Sequence, residues 1–317
     1  MHKLAGLFIS TGGLLYDTLP KTNLNVDELL KTYADAGMEI SDCTVARDIL
    51  LEIGYYRLRG YSFHLYNHDT KQYKPGTSLE YILSLYRFDS ELRNLIFSMA
   101  GEIEVTLRTR FCEVLLQSGA PLIYLDAATF QDKELFWKNN STLSSEIARS
   151  RDPFIEHNYK NHAGQIPLWA AVEVMSFGSL SKFIKNLPCG SGSTMQQLAS
   201  YYTYTTQKGK RAIPKSDMLT SWIHTTVLLR NMCAHNSRIY NRSLSLKPVL
   251  LHADQQTPIP KYSGLYHFMM AMKYLRPSDA SWIVFMEKFH SLLVKYEKDI
   301  DLSRLHFPND WEEHMNI

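Results

Sequence analysis

A long stretch without helix-breaking residues is the feature that most limits how this chain can fold. Residues 77–117 contain no proline and a single glycine, Gly101. Within this stretch, apolar residues recur at the spacings of three and four that mark one face of a helix: Leu92, Leu95, Ile96, Met99, Ile103 and Leu107. The pattern predicts one long amphipathic helix, with a break near Gly101 as the alternative.

Shorter helical segments are predicted on both sides of the long helix. Asn25 and Glu28 form a capping-box pattern that opens a helix ending near residue 36. Further helices are predicted at residues 43–52, 133–149, 168–175, 181–186, 216–235, 266–274 and 278–298. Residues 55–66 alternate aromatic with polar side chains, and this pattern predicts short strands or an extended arm.

The predicted elements define a fold class and three parts of the chain. Residues 1–21 are expected to be a leader or linker, either an ordinary first strand or a loose tail, with a weak signal peptide as the less favoured alternative. Residues 22–76 are expected to form a small N-terminal helical unit that includes the aromatic and basic segment. Residues 77–317 are expected to form a helical bundle, so the protein is predicted to be mostly α.

Charge and cysteine content narrow the classes of function. The formal net charge of the 317 residues is only +2, so nucleic-acid binding would depend on local clusters. One cluster comprises Lys208, Lys210, Arg211 and Lys215, and is expected to be an exposed loop. The four cysteines lack CxxC or zinc-site spacing, which predicts reduced thiols and a cytoplasmic protein. No run of 18 apolar residues occurs, so no membrane span is expected.

The stretch from Arg230 to His235 carries the residues best suited to chemistry. An imidazole accepts or donates a proton near neutral pH, and a guanidinium stabilises charge on a phosphate through its planar fork. Asn231 could orient the imidazole or the phosphate. These residue types suit cleavage of RNA at the ribose 2′-hydroxyl, with no metal and no cofactor required. The plain alternative is a pair of polar residues at a helix end, and Arg59 and His64 show the same spacing.

Helical geometry constrains how these three residues can act together. Arg230 and His235 are five residues apart, which places them about 140° apart around an ideal helix. Asn231 and His235 are four apart and share a face. A site that uses all three needs Arg230 to reach around, the helix end to loosen, or a second copy of the helix opposite. The last option predicts a homodimer.

Four segments in the same order resemble a known family. Residues 53–61 resemble the GYYRLxGY signature of the Abi-like family, the AbiD/AbiF group of phage abortive-infection proteins, and residues 229–242 resemble its LRNxCAHxxRxxNR pattern. Residues 102–109 are similar to its central IExxLRT helix, and Trp169 with residues 176–180 is similar to its W…SFGxLS segment. The resemblance spans residues 21–242.

This resemblance implies a fold, an activity and a partner. The family is grouped with HEPN domains, helical bundles that often act as dimeric, metal-independent endoribonucleases through an RNxxxH motif. Carried over, Arg230, Asn231 and His235 would be the active-site residues. The function implied is phage defence by RNA cleavage, with a bound non-coding RNA in some members. The rival hypotheses are a non-catalytic RNA-binding module and a purely structural interaction protein.

Three further pairs are candidates for supporting roles. Glu104 and Arg108, four residues apart, are expected to form an ion pair, and alternatively to brace the motif helix or line the cleft. Arg57 and Arg59 lie among aromatic residues and could grip RNA, although the tyrosines are expected in the core and the arginines at the surface. Arg238 and Arg242, just after the motif, are candidate phosphate contacts, and alternatively part of a solvated turn.

Overall fold

Helices make up most of the structure. The computed structural model describes residues 23–117, 119–255 and 261–317, and the mostly α class predicted from the sequence is confirmed. The predicted leader at residues 1–21 lies outside the described residues. The chain divides into two compact units, with the boundary between Leu83 and Ser84. Among the described residues, no helix is both long enough and apolar enough to cross a bilayer.

The first unit contains three helices and a small hairpin in its described part. The helices are α1 (Val26–Asp35), α2 (Cys43–Ile53) and α3 (Tyr55–Ser62), and the antiparallel strands are β1 (Tyr66–Asn67) and β2 (Gln72–Tyr73). Asn25 caps α1: its side chain accepts from the Glu28 N–H, and the Glu28 side chain accepts from the Asn25 N–H. The predicted capping box is therefore confirmed.

The prediction of strands or an extended arm at residues 55–66 is wrong for most of this segment. Residues 55–62 form α3, and only the last residue of the segment begins β1. Tyr55, Leu58 and Tyr61 are buried, and their spacing of three is that of a helix face. Gly54 separates α3 from α2 with a φ of 89°, a left-handed conformation that glycine adopts without a steric penalty.

The second unit is organised around the long helix predicted from the sequence. This helix, α4 (Leu79–Leu116), has 38 residues and continues through Gly101, so the alternative of a break there is wrong. Fully buried side chains follow one another along it at helical spacing: Leu85, Phe88, Leu92, Ile96, Ile103, Leu107 and Phe111. A stripe that stays buried over seven turns explains why one glycine does not interrupt the helix.

Shorter helices complete the second unit. They are α5 (Lys133–Arg149), α6 (Pro153–Asn161), α7 (Leu168–Val174), α8 (Phe177–Lys185), α9 (Thr194–Ala199), α10 (Ser216–Ala234), α11 (Leu265–Leu275), α12 (Asp279–Lys295) and α13 (Trp311–Met315). Helix α10 packs against α8, α9 and α11, and its Trp222 is fully buried with Nε1 donating to the Val249 carbonyl oxygen over 2.6 Å. The candidate motif therefore lies on a helix that is packed by several others.

Two local predictions in this unit need correction. The segment at residues 208–215 is not only a loop, because β3 (Tyr204–Thr205) and β4 (Arg211–Ala212) pair as an antiparallel hairpin that includes its start. Helix α8 begins at Phe177 rather than at residue 181. The Ser176 side chain accepts a hydrogen bond from the Ser179 N–H, and this cap starts the helix earlier than the Gly178 in its first turn suggested.

Candidate active site

The candidate motif lies at the C-terminal end of α10. His235 takes the capping position directly after the last helical residue. Asn236 follows with a φ of 51°, a left-handed conformation that asparagine tolerates better than most residues. The Ser237 N–H donates to the Met232 carbonyl oxygen over 2.8 Å, and the Asn236 N–H donates to that of Cys233 over 3.0 Å. This is a Schellman motif, and it fixes the backbone on both sides of the histidine.

The Arg230 side chain lies across the neighbouring helix α4. Its Nε atom is 3.6 Å from Oε2 of Glu104, and its guanidinium carbon is 5.3 Å from the centre of the Phe97 ring. Phe97 and Glu104 are seven residues apart, close to two helical turns, so both lie on one face of α4. The Arg230 side chain is 32% exposed, so the guanidinium is held in place while part of it faces solvent.

The Glu104 carboxylate is shared by two arginines. Its side chain is nearly buried, and its Oε1 accepts a hydrogen bond from Arg108 Nη2 over 2.5 Å. Arg108 also donates to the carbonyl oxygens of Val172 and Met175, at the end of α7, over 3.1 and 2.8 Å. The predicted ion pair is confirmed. Two guanidinium groups and one carboxylate leave one net positive charge in this Glu104 cluster, which consists of Glu104, Arg108 and Arg230.

Asn231 contacts the arginine of the motif rather than the histidine. Its Oδ1 accepts a hydrogen bond from Arg230 Nη1 over 3.3 Å. The two N–H groups of the Asn231 amide have no hydrogen-bond partner within the described ranges. They are therefore available, next to the guanidinium, to donate to an incoming anion.

The His235 side chain is exposed, and its imidazole makes no hydrogen bond or ion pair with any described residue. Only its backbone is bonded to the motif, through an N–H that donates to the Asn231 carbonyl oxygen over 3.0 Å. The structure thus brings Arg230 and Asn231 together but does not bring the His235 ring into hydrogen-bonding contact with either. Helical spacing explains the separation of Arg230 and His235, which point about 140° apart.

A second acid–base pair on α4 anchors the chain that follows the motif. Asp89 is fully buried and Arg93 nearly so, and the two form an ion pair one turn apart. Asp89 also accepts from the backbone N–H of Ile239 over 3.2 Å and from that of Tyr240 over 2.7 Å. We call Asp89 and Arg93 the Asp89 pair. It holds the segment that leaves the end of α10.

The Asp89 pair and Phe97 were not predicted from the sequence. A signal for the pair was present, because Asp89 and Arg93 stand four apart in the apolar row of the long helix. Charged residues in such a row are rarely buried unless they are paired. No comparable signal pointed to Phe97, whose contact with Arg230 joins positions more than 130 residues apart.

The cysteine of the motif is a packing residue. Cys233 is buried, and this burial raises the pKa of its thiol to about 12. The thiol therefore stays protonated at physiological pH, and a protonated thiol is a poor nucleophile. All four cysteines of the chain are free, and Cys112 is the other buried one.

The two arginines after the motif differ in their surroundings. Arg238 Nη1 donates to the carbonyl oxygens of Tyr240 and Asn241 over 2.5 and 2.7 Å, so its guanidinium braces the turn that follows α10. Arg242 is exposed, and its Nη1 reaches the Arg238 carbonyl oxygen at 3.4 Å. A phosphate contact stays a prediction for both residues.

Arg57 and Arg59 belong to the first compact unit. Arg57 is exposed on α3, whereas Arg59 is half-buried, with its guanidinium carbon 5.9 Å from the ring centres of both Tyr55 and Tyr66. The expected division between tyrosines in the core and arginines at the surface holds for Tyr55 and Arg57. It is wrong for Tyr56, which is one of the most exposed side chains of α3. RNA binding by Arg57 and Arg59 stays a prediction.

Within the part of the chain that the structure describes, no three His, Cys, Asp or Glu side chains are grouped so that they could hold a metal ion. The expectation that the site needs neither metal nor cofactor stays a prediction.

These elements define a mostly helical class of protein. In it, the arginine of the motif helix contacts one face of a single long helix. A family model described as Abi-like protein matches residues 48–241, which include the motif, the Glu104 cluster and the Asp89 pair. This match covers more than half of the 317 residues, and the chain belongs to the Abi-like family. The predicted resemblance is therefore confirmed at the level of the family. Comparisons with curated proteins and with solved structures found no match.

Proposed function

We propose that this protein is an endoribonuclease of phage defence that cleaves RNA without a metal ion through Arg230, Asn231 and His235. Membership of the Abi-like family supports a role in abortive infection. The assignment to HEPN ribonucleases rests on the RNxxxH pattern within residues 230–235 and on the helical setting of that pattern.

The single observation that carries this proposal is the net positive charge of the Glu104 cluster, whose Arg230 stands five residues before an exposed histidine. A buried carboxylate normally neutralises one cation, but here Glu104 faces both Arg108 and Arg230. Arg230 is the more exposed of the two arginines. A guanidinium held in place with surplus positive charge is suited to bind the phosphate of an RNA strand.

The reaction requires a proton acceptor, a proton donor and a group that stabilises the negative charge on the phosphate. The His235 imidazole removes the proton of the ribose 2′-hydroxyl, and the 2′-oxygen forms a bond to phosphorus. The bond from phosphorus to the 5′-oxygen breaks, and this oxygen takes up a proton. The products are a 2′,3′-cyclic phosphate and a 5′-hydroxyl. Arg230 and the Asn231 amide N–H groups stabilise the charge on the non-bridging oxygens.

The separation of His235 from Arg230 favours a site built from two copies of the chain. In such a homodimer, the histidine of one protomer acts on a phosphate bound by the arginine of the other. The same histidine, protonated by the first step, then supplies the proton to the leaving 5′-oxygen. This arrangement uses a side chain that makes no hydrogen bond with any described residue of its own chain.

The activity is tested by comparing the wild-type chain with His235→Ala and Arg230→Ala on bulk RNA in the presence of EDTA. Each substitution is expected to lower the cleavage rate by about a hundredfold or more, because it removes a proton-transfer or charge-stabilising group. His224→Ala is the matched control, since His224 is an exposed histidine of the same helix. Equal cleavage by all four chains would exclude this site.

The composite site is tested by mixing the two inactive variants. A mixed dimer of His235→Ala and Arg230→Ala chains contains one site with an intact histidine and an intact arginine, from different protomers. Mixing is therefore expected to restore part of the cleavage. If mixing restores nothing while light scattering shows mixed dimers, the two residues do not act across an interface.

One observation favours a second candidate function, a non-catalytic module that holds a partner RNA. A catalytic histidine is usually oriented by a hydrogen bond to its second ring nitrogen, and within the described chain His235 has none. Such a module would bind RNA in a gel-shift experiment, and neither the wild type nor either variant would cleave it.

A further inference from the structure

A groove of about 740 Å³ lies beside α6 and α7, on residues that the proposed cleavage does not use. Its volume lies in the range of pockets that take small organic ligands. The side chains that give the groove its chemical character come from both helices and the segment between them: Phe154, His157, His162, Gln165, Trp169 and Glu173.

Two aromatic side chains of the groove are accessible to solvent. Trp169 is 53% exposed and Phe154 is 39% exposed. Exposed aromatic faces in a concave site stack against flat rings, and nucleobases bind to proteins in this way. Trp169 also stands in the segment that resembles the family signature, although that resemblance assigns it no role.

Three polar side chains of the groove, those of His157, Gln165 and Glu173, have hydrogen-bonding groups available to a ligand. The side chains of Gln165 and Glu173 have no hydrogen-bond partner among the residues that the structure describes. His157 Nδ1 accepts a hydrogen bond from the Asn161 amide over 3.0 Å, which leaves its Nε2 as a donor. Among the described residues that line the groove, none is a lysine or an arginine. A ligand therefore places an uncharged ring inside and keeps any phosphate outside.

We propose that this groove binds a guanine base. An ionised carboxylate only accepts hydrogen bonds, and Glu173 is the carboxylate of the groove. Guanine is the RNA base whose pairing edge offers two adjacent donors, N1–H and the N2 amino group, whereas each donor on the pairing edge of the other three bases is flanked by an acceptor. Glu173 accepts both donors, Trp169 stacks on the ring, and the Gln165 amide serves the opposite edge.

The position of the groove connects it with the candidate active site. Helix α7 presents Trp169 and Glu173 to the groove, and the carbonyl oxygen of its Val172 accepts the hydrogen bond from Arg108 of the Glu104 cluster. A base held on α7 is therefore held on an element that also contacts the phosphate-binding cluster. The inference rests on the proposed RNA substrate, and it assigns a guanine preference to that substrate.

The test is binding of a fluorescein-labelled oligodeoxynucleotide measured by fluorescence polarisation. One strand contains only thymine, and the other has a single central guanine. DNA has no 2′-hydroxyl, so the strands stay intact whether or not the protein cleaves RNA, and the result does not depend on catalysis. The full chain is expected to bind the guanine strand about tenfold more tightly, as one bidentate base contact provides.

Two substitutions separate the base contact from the stacking. Glu173→Gln is expected to abolish the guanine preference, because an amide presents one donor where guanine needs an acceptor. Trp169→Ala is expected to weaken binding of the guanine strand by about tenfold. Glu102→Gln and Trp137→Ala are the matched controls, since both residues are exposed and lie outside the lining of the groove.

Equal affinity of the wild type for the two strands overturns the proposal, and so does a guanine preference that survives Glu173→Gln. Competition with guanosine monophosphate distinguishes the two sources of the base. Displacement of the guanine strand by the mononucleotide, with no effect of adenosine monophosphate, supports a site for a free guanine nucleotide. Displacement by unlabelled strand alone supports a site for a guanine within a chain.

Discussion

Helix α4 carries two acid–base pairs with the same spacing, and their surroundings differ. The Asp89 pair is completely enclosed, and Asp89 also accepts from the backbone of Ile239 and Tyr240. The Glu104 pair is less enclosed and faces a third charged group, Arg230, which is partly exposed. Backbone hydrogen bonds satisfy the Asp89 carboxylate inside the protein. The Glu104 carboxylate instead contacts a cation, Arg230, that is partly exposed at the surface.

This difference separates a structural role from a functional one. A fully enclosed ion pair has no surface to offer a ligand, so the Asp89 pair fixes the position of the chain that leaves the motif. The Glu104 cluster holds one positive charge more than it neutralises, and its exposed member, Arg230, stands five residues before His235 at the same helix end. The two pairs have the same spacing along α4, so spacing does not distinguish them. They differ in their third partner, which is the backbone of Ile239 and Tyr240 for Asp89 and the Arg230 side chain for Glu104.

Removing the charge of Asp89 is expected to have the largest effect on stability. Asp89→Asn removes the negative charge that Asp89 places against the buried Arg93, and the free energy of unfolding is expected to fall by about 3–5 kcal/mol. Urea denaturation followed by circular dichroism measures this change. Glu91→Gln is the control, because the partly exposed Glu91 pairs with Lys295, and a much smaller loss is expected there. An equal loss of unfolding free energy in Asp89→Asn and Glu91→Gln would contradict the greater importance of the buried Asp89 pair for stability.

Replacing Arg230 by lysine is expected to affect activity and not stability. Arg230→Lys keeps the charge but loses the planar fork that grips phosphate, so the rate of RNA cleavage is expected to fall about a hundredfold. Denaturation of the same sample should show almost no change. Arg149→Lys, at an exposed arginine of α5 to which no role in the site is assigned, serves as the control. If Arg230→Lys instead unfolds the chain, the Glu104 cluster is structural in the same way as the Asp89 pair.

Removing the charge of Glu104 is expected to affect both properties, each less strongly. Glu104→Gln leaves Arg108 with its two carbonyl partners, and the free energy of unfolding is expected to fall by about 1–3 kcal/mol. RNA binding should become tighter and more dependent on salt, because two cations are then left unneutralised. Cleavage should slow, because Arg230 is no longer positioned. Unchanged salt dependence would show that the cluster does not face RNA.

The smallest effect is expected at Phe97. Phe97→Leu keeps an apolar side chain but removes the ring under Arg230, a contact that contributes about 0.5–1 kcal/mol at an exposed site. The KM for RNA is expected to rise about threefold with kcat nearly unchanged. A change in kcat alone would show that the ring acts on the reaction and not on the position of the guanidinium.

Local signals in the sequence predicted local structure well. The capping box at Asn25, the proline-free stretch that forms α4 and the end of α10 near His235 all follow from residues close together in the chain. The prediction for residues 55–66 was wrong for most of the segment. The alternating aromatic residues suggested a strand, although Tyr55, Leu58 and Tyr61 also have the spacing of a helix face. In such a short segment, tertiary burial decides between the two periods.

Contacts between distant residues were beyond the reach of pattern alone. Glu104 meets Arg230, and Asp89 meets Ile239, only because α4 and the end of α10 pack together. The sequence predicted that Glu104 pairs with Arg108, since both lie on one helix. It carried no signal that the same carboxylate faces the arginine of the motif. The candidate residues could thus be named from the sequence, but their division into a charged cluster and a separate histidine could not.

The end of α10 combines a fixed backbone with a side chain that is free to turn. The Schellman motif holds the main chain of His235, while its imidazole is bonded to no described residue. Rotation about the two side-chain torsions moves the ring without disturbing the helix, and exposed side chains change rotamer within picoseconds to nanoseconds. A proton taken up on one side of the ring can therefore be carried to another by rotation alone. The His235 imidazole can therefore rotate while its main chain stays fixed. The distance over which it can carry a proton is limited by the length of its side chain.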